Sequence, residues 1–442
     1  MKKILSFIAL AILALSAISC EPQEKLPKTV DLFVQLMYDG AKLEVEGVDV
    51  NLVDAAGAVT LEAVTDASGL AAFNVAPGSY TASATYKVAE DGIRAVYNGS
   101  ANSVYVAAGT EPVNASIALN RSESQQIIIK ELYVGGCPQN EGSTAYSNDA
   151  YVILYNNSDM EADATDIQFT FAAPYNANGT NKYITDGKLL YEDLDWMPAY
   201  GAIWWFTSPV KIPAYSQIVV AFYGAINHTA TVNASVDLSN PSYYWMSNSG
   251  ITQYTNAKYA VSDGIPASNY LTCSPFTQGN AWALSNQCPA FYIGRATKEE
   301  GKALSTNTDA FDRTLGTNAA MAVVKYPKAN IVDAVEVWSA ANISKSQQRF
   351  PASINTGYVA LTNKLGYSVY RNVDKEATEA LAENAGKLVY NYAGGTTDAE
   401  GSTDPSTIDA EASIAAGAHI IYSDTNDSSK DFHQRKVASL KK

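Results

Sequence analysis

The chain has 442 residues, room for two or three domains. Hydrophobic residues make up 47% and charged residues 17%, a balance that supports sizeable cores and excludes a disordered chain. Lys and Arg number 30 against 45 Asp and Glu, a net charge of −15, which excludes nucleic acid as a partner because neutralising phosphates needs a basic face.

Met1-Lys2-Lys3 precedes an apolar run over residues 4–18, interrupted by Ser6 and Ser16. A short positive head and a short apolar stretch make a secretory signal peptide; a bilayer span needs about 20 apolar residues. Ser16-Ala17-Ile18-Ser19-Cys20 follows and resembles a bacterial lipobox, although Ala17 stands where leucine is usual. The resemblance implies lipid on Cys20 and cleavage before it. Residues 1–19 are then the signal peptide and 20–28 a polar, proline-bearing lipidated tether. More than one acyl chain gives stable anchoring. Losing Lys2 and Lys3 takes the net charge from −15 to −17. No aspartate follows Cys20, so nothing resembles an inner-membrane retention signal, and the expected location is the outer membrane, facing either the periplasm or the surface. The plainer alternative is an ordinary signal peptide with a chance cysteine.

Three further cysteines, Cys137, Cys273 and Cys288, enter an oxidising compartment. Cys273 and Cys288 flank a loop-like segment and are expected to pair, worth about 3 kcal/mol by loop closure. Cys137 would then be free and buried. The three histidines lie far apart and no CxxC pairs occur, which argues against zinc.

Residues 29–120 form the first expected domain. Val30-Asp31-Leu32-Phe33-Val34-Gln35-Leu36 and Val48-Asp49-Val50-Asn51-Leu52-Val53 alternate with period two, and Gly, Asp and Pro turns separate short strands. Asp66 and Gly69 bracket an expected hairpin turn, and Phe73 and Val75 point to one face. Gly47-Val48-Asp49-Val50-Asn51-Leu52, residues 65–73 and Pro77-Gly78-Ser79-Tyr80 resemble the carboxypeptidase-regulatory-like, transthyretin-like β-sandwich. Such modules serve as spacers or docking platforms, so the resemblance implies no chemistry.

Residues 127–442 form the second. Ile127-Ile128-Ile129-Lys130-Glu131-Leu132-Tyr133-Val134 reads as a strand, as do Tyr151-Val152-Ile153-Leu154-Tyr155-Asn156 and Ile218-Val219-Val220-Ala221-Phe222. With Glu131, Tyr151, Leu154, Asn156, Pro213 and Val219, the series resembles a lamin-tail-like domain of the Ig-like sandwich type. Ile153 replaces its usual glutamate and Ser216 its turn glycine. The whole chain is similar to an uncharacterised family of Bacteroidetes lipoproteins that joins a transthyretin-like front to an enlarged lamin-tail-like back. The expected fold is therefore mostly β, two sandwiches with long insertions and one short helix. Residues 225–320, rich in Asn, Ser, Thr, Tyr and Trp, read as a large insertion. The helix is expected within residues 374–388 and stopped by Gly386.

Three sets of residues are candidates for chemistry. The oxygens of Asp424, Asn426 and Asp431 alternate in a way that can wrap calcium; the plainer reading is an Asx-type turn closing a strand. Tyr243, Tyr244 and Trp245 are the best exposed aromatic group for stacking on a sugar; the default for them, and for Trp196, Trp204, Trp205 and Trp282, is packing. Glu192, Asp193 and Asp195 are the carboxylates most suggestive of a hydrolase, although spacing cannot show that they face one another. No GxSxG, HExxH or phosphate-binding glycine loop occurs. The leading expectation is a non-catalytic, lipid-anchored binding or assembly protein without cofactor, partnered by an envelope protein such as a TonB-dependent transporter. The second is a glycan-binding surface lipoprotein, and the third a carboxylate-based hydrolase.

Overall fold

A computed structural model describes residues 29–55, 60–90, 92–109, 111–318, 321–396 and 403–441. The signal peptide, Cys20 and the tether lie outside them. The chain divides into two compact units, residues 1–87 with 96–122 and residues 88–95 with 123–442.

Alternation builds the first unit. On β1 (Val30–Tyr38) Val30, Leu32, Val34 and Leu36 point inward, and on β2 (Asp49–Asp54) Val50 and Leu52 do so. β3 (Thr60–Val64) pairs with β2, whereas β4 (Leu70–Val75) pairs antiparallel with β1. The expected hairpin at Asp66–Gly69 is thus a crossing between two sheets. The turn chemistry is as read: Asp66 Oδ1 accepts from the Ser68 and Leu70 N–H groups at 2.9 and 3.1 Å. Gly69 has φ +73°, and a Cβ there would lie 1.8 Å from the Leu43 carbonyl oxygen, so only glycine fits. Phe73 and Val75 share the buried face. β5 (Gly78–Glu90), β6 (Ile93–Val106), β7 (Val113–Ala118) and β8 (Asn120–Gln125) follow. β7 runs parallel to β1, and the second sheet has the order β3-β2-β5-β6-β8. The core between the sheets is aliphatic, with Phe73 and Tyr80.

The second unit is organised by one twelve-stranded sheet. Its strands are β9 (Ile127–Tyr133), β10 (Tyr151–Asn156), β11 (Ile167–Phe171), β12 (Ala202–Phe206), β13 (Gln217–Ala221), β14 (Tyr244–Met246), β15 (Tyr270–Pro275), β16 (Ala290–Arg295), β17 (Ile331–Ser339), β18 (Val359–Leu361), β19 (Ser368–Arg371) and β20 (Phe432–Arg435). Their order is β18-β17-β16-β11-β12-β15-β14-β13-β10-β9-β19-β20. The sheet doubles back on itself. The Ile129 N–H of β9 donates to Asp333 of β17 at 2.6 Å, and beside the two edge strands the Thr362 N–H donates to the Gln434 side chain. Strands covered on both faces lose alternation, and all seven residues of β9 are buried. Fold class is as expected: mostly β, of sandwich type.

Two expectations change here. The region 225–320, read as an insertion with few long apolar runs, supplies β14, β15 and β16 to the main sheet. The helix expected to Gly386 ends early. α1 (Lys298–Thr306) lies within residues 225–320, where no helix was expected, and α2 (Lys375–Glu379) stops five residues in. Asn384 Nδ2 donates to the Thr378 and His419 carbonyls at 2.8 and 2.7 Å, a tertiary tie that bends the chain out of helix. α3 (Ala410–Ala415) and α4 (Ser428–Asp431) complete the unit. Among the described residues no helix is long and apolar enough to cross a membrane.

Candidate functional site

The expected site residues do not converge. Cys273 and Cys288 are separate, buried, free thiols. Cys273 sits on β15 and Cys288 just before β16, and β12 and β11 lie between those strands. Three strand spacings are roughly 14 Å, whereas a disulfide needs Cα atoms about 4.4–6.8 Å apart. Cys288 Sγ instead faces the Asn176 side-chain oxygen at 3.6 Å. Cys137 is also free; burial pushes its thiol up to about 12, away from the reactive thiolate.

Trp245 is fully buried, which corrects its reading as an exposed aromatic. β14 wedges it between β13 and β15, where its indole N–H donates to the Tyr223 carbonyl and its ring meets Tyr270 edge-on at 5.0 Å. Tyr243 and Tyr244 are half-buried against the same core. Trp204 and Trp205 both pack inward because each face of the sheet is covered: Trp204 joins the core with Trp245, and Trp205 a second core with Tyr292 and Tyr326.

Asp424 and Asp431 both face Arg371 Nη1, at 3.3 and 4.0 Å, so a guanidinium already stands where a metal ion would have to sit. Asp431 accepts from the Thr425 N–H and hydroxyl, both at 2.8 Å, and from the Asp427 N–H at 3.2 Å. Asn426 turns the chain at φ +56°. Among the described residues no group of three or more His, Cys, Asp and Glu could hold a metal ion. Glu192 accepts from the Ala352 N–H at 2.9 Å, at the surface, rather than facing a partner carboxylate.

What the structure does bring together is charge. Lys130, on β9, has a fully buried side chain. Its ammonium lies 2.8 Å from Glu411 on α3 and 2.6 Å from the Gln217 side-chain oxygen, within a cage of Tyr155, Tyr370 and Tyr422 rings at 5.6–5.7 Å. Burial pushes the Glu411 carboxyl up, but the Lys130 charge and the Tyr370 hydroxyl, 2.6 Å away, outweigh it and hold the group below the usual range. Arg371, on β19, donates from Nε to the Ile129 carbonyl at 2.7 Å and from Nη1 to the Ser423 carbonyl at 2.8 Å, contacts Asp333 through Nη2, and lies over the Phe432 ring at 4.3 Å. Burial pushes the Asp333 carboxyl up to about 7 against the pull of Arg371. Arg349 grips Glu336 of β17 at 2.9 and 2.5 Å and donates to the Cys288 and Pro174 carbonyls at 2.8 and 3.1 Å. Each cation thus ties chain segments far apart in sequence.

A relay joins the group. Tyr392 Oη is 2.8 Å from His433 Nε2, and His433 Nδ1 is 2.7 Å from Asn372 Oδ1. The Asn372 amide nitrogen donates to the Lys430 carbonyl, so its oxygen faces the ring and the imidazole proton sits on Nδ1. The order is that of nucleophile, base and orienting group. Burial and then Arg435 push His433 down to about 3, and burial pushes the Tyr392 phenol up, so proton transfer between them is strongly uphill. The relay ties β20, through His433, to Tyr392 and Asn372. The sequence signal for this centre is Lys130-Glu131 after three isoleucines in an otherwise apolar strand, because such charges are buried only when paired.

Residues 214–439 match a family described as "Protein of unknown function (DUF4876)", which is half of the chain. The chain belongs to the DUF4876 family. The matched part of this DUF4876 chain contains Arg349, Arg371, Glu411 and His433 with their supporting strands; Lys130 lies outside it. The crystal structure of a DUF4876 family protein from Bacteroides thetaiotaomicron is similar with TM-score 0.57 and 17% identity, over 92% of this chain and 96% of that one; the likeness is one of fold alone. A DUF3823 family protein from Parabacteroides merdae (10% identity, 44% of this chain, 97% of that one, TM-score 0.17) and the major pilin SpaD from Corynebacterium diphtheriae (11%, 68%, 92%, TM-score 0.20) match too weakly to carry an argument. No curated protein matches.

Proposed function

We propose that this DUF4876 protein is an outer-membrane lipoprotein, anchored through Cys20, that acts as a non-catalytic binding or assembly module for another envelope component, such as a TonB-dependent transporter. Its first unit is read as a transthyretin-like spacer and its second as a lamin-tail-like body. The observation that carries the reading is the joining of a lipobox-like start to two β units, in the second of which the buried cations Lys130, Arg349 and Arg371 are engaged as internal braces. The packing of Trp245 supports assembly over sugar stacking at Tyr243–Trp245. Affinity capture of the full chain from envelope solubilised in mild detergent tests the reading. Recovery of one envelope protein in stable ratio is the expected result; recovery of none would count against it.

A further inference from the structure

Beside the two edge strands of the folded sheet lies a cavity of 500 Å³. That is within the range of about 300–1,000 Å³ typical of small-molecule sites. Tyr358, Val359, Ile343 and Phe432 give it apolar walls, while Ser429 and the Gly357 backbone give it polar points. Among the described residues lining it, none is charged.

The Tyr358 wall is rigid. Its ring stacks on Trp338 with centroids 3.9 Å apart and planes 8° from parallel, and both residues are half-buried. Trp338 is fixed in turn, because its indole N–H donates to Glu336 at 3.2 Å and Glu336 is gripped by Arg349. The rim is equally constrained. Gly357 has φ +62°, and a Cβ there would lie 2.5 Å from Asp427 Oδ1 and 2.8 Å from Ser429 Oγ. The Ser429 hydroxyl donates to Asp427 at 2.6 Å, which leaves its oxygen to serve a ligand as an acceptor, and Asp427 is paired with Lys430 at 3.0 Å.

An anionic ligand would lose hydration here and meet the Asp427 carboxylate at the rim, and a wholly apolar one would leave the rim groups unpaired. A sugar ring answers both halves: it has an apolar C–H face and an edge of neutral hydroxyls. We propose that this cavity binds a neutral saccharide unit stacked on the face of Tyr358 opposite Trp338, with its hydroxyls directed to Ser429 and the Gly357 backbone. The inference goes beyond the assembly reading and does not rest on it.

Calorimetric titration of the full chain with cellohexaose, maltohexaose and mannohexaose, with a hexagalacturonate as charged control, tests it. At least one neutral oligosaccharide should bind and the acidic one should not. Tyr358→Ala should weaken that binding at least tenfold, about one step of 1.4 kcal/mol, while Tyr358→Phe stays near wild type. Binding should shift Trp338 emission, and Trp338→Phe should abolish the shift. If Tyr358→Ala fails to fold, Ser429→Phe, which fills the rim, should block binding instead. Absence of binding to all three neutral probes, equal binding of the acidic one, or wild-type affinity in the folded Tyr358→Ala or Ser429→Phe variant would overturn the proposal.

Discussion

The two units hold together by different means. In the first, the core is a face of alternating apolar residues, and among the described residues Thr65 is its buried polar side chain, satisfied by the Val45 carbonyl at 2.7 Å and the Val48 N–H at 3.0 Å. In the second, Lys130, Glu336, Arg349 and Arg371 are buried beside apolar cores of much greater extent. Area-driven burial is tolerant of sequence and nearly indifferent to pH. Buried ion pairs are neither: removing one partner strands the other in a poor solvent. The second unit is therefore the one in which a single substitution at a buried charge costs most.

The largest effect is expected from cutting a brace. Arg349→Met leaves Glu336 unpaired and should destabilise the second unit by roughly 3–5 kcal/mol, read by denaturant unfolding. Replacing Glu336 by Leu as well should recover most of the loss. Additive losses would mean that the pair is not the brace described. In the first unit, Leu52→Ala removes a fully buried side chain and should cost about 2–5 kcal/mol. That loss should be the same at pH 4 and pH 7; a pH-dependent loss would erase the contrast between the units.

Acid sharpens the contrast. His433 is held near 3 in the fold against about 6.5 when unfolded. Its depressed value contributes stability that is complete above pH 6.5 and is lost as the pH falls through 3. Asp333, raised to about 7, works the other way: its contribution is complete below about 4 and is lost as the pH rises through 7. The two oppose each other between about 4 and 6.5, so the informative quantity is the stability difference between wild type and His433→Gln. It should shrink on acidification from pH 6.5 toward 3, by up to about 1.4 kcal/mol per pH unit, in thermal melts; a difference constant with pH would contradict the buried neutral imidazole. The smallest effect is local. Thr297 Oγ1 accepts from the Glu300 N–H at 3.2 Å and Glu300 accepts from the Thr297 N–H at 2.8 Å, a capping box on α1. Thr297→Ala should cost about 1 kcal/mol, and a loss near zero would show that packing alone sets this helix.

The first unit was the more legible in sequence, because a half-buried strand writes its inward face at every second residue, as Val30 to Leu36 do. Only the role of the Asp66–Gly69 turn was hidden: a tight turn looks the same whether its strands pair or part. In the second unit apolar runs mark β9, β10 and β13, but β14 is three residues long and invisible to periodicity, so the burial of Trp245 is not legible locally. The capping box at Thr297 and Glu300 is written in the sequence as a Thr followed three residues later by a Glu. The braces were illegible for a firmer reason. Lys130 and Glu411, or Arg371 and Ile129, meet across more than 200 residues, and nothing in local spacing encodes such a meeting.

The assembly role requires that the folded units be held at the envelope by Cys20. Mass spectrometry of the N-terminal peptide of the envelope-extracted chain tests this most directly. The expected product begins at Cys20 and carries a diacylglycerol on sulfur and an acyl group on the new amine. A peptide beginning at Met1, or one beginning at Cys20 with an unmodified thiol, would contradict the account.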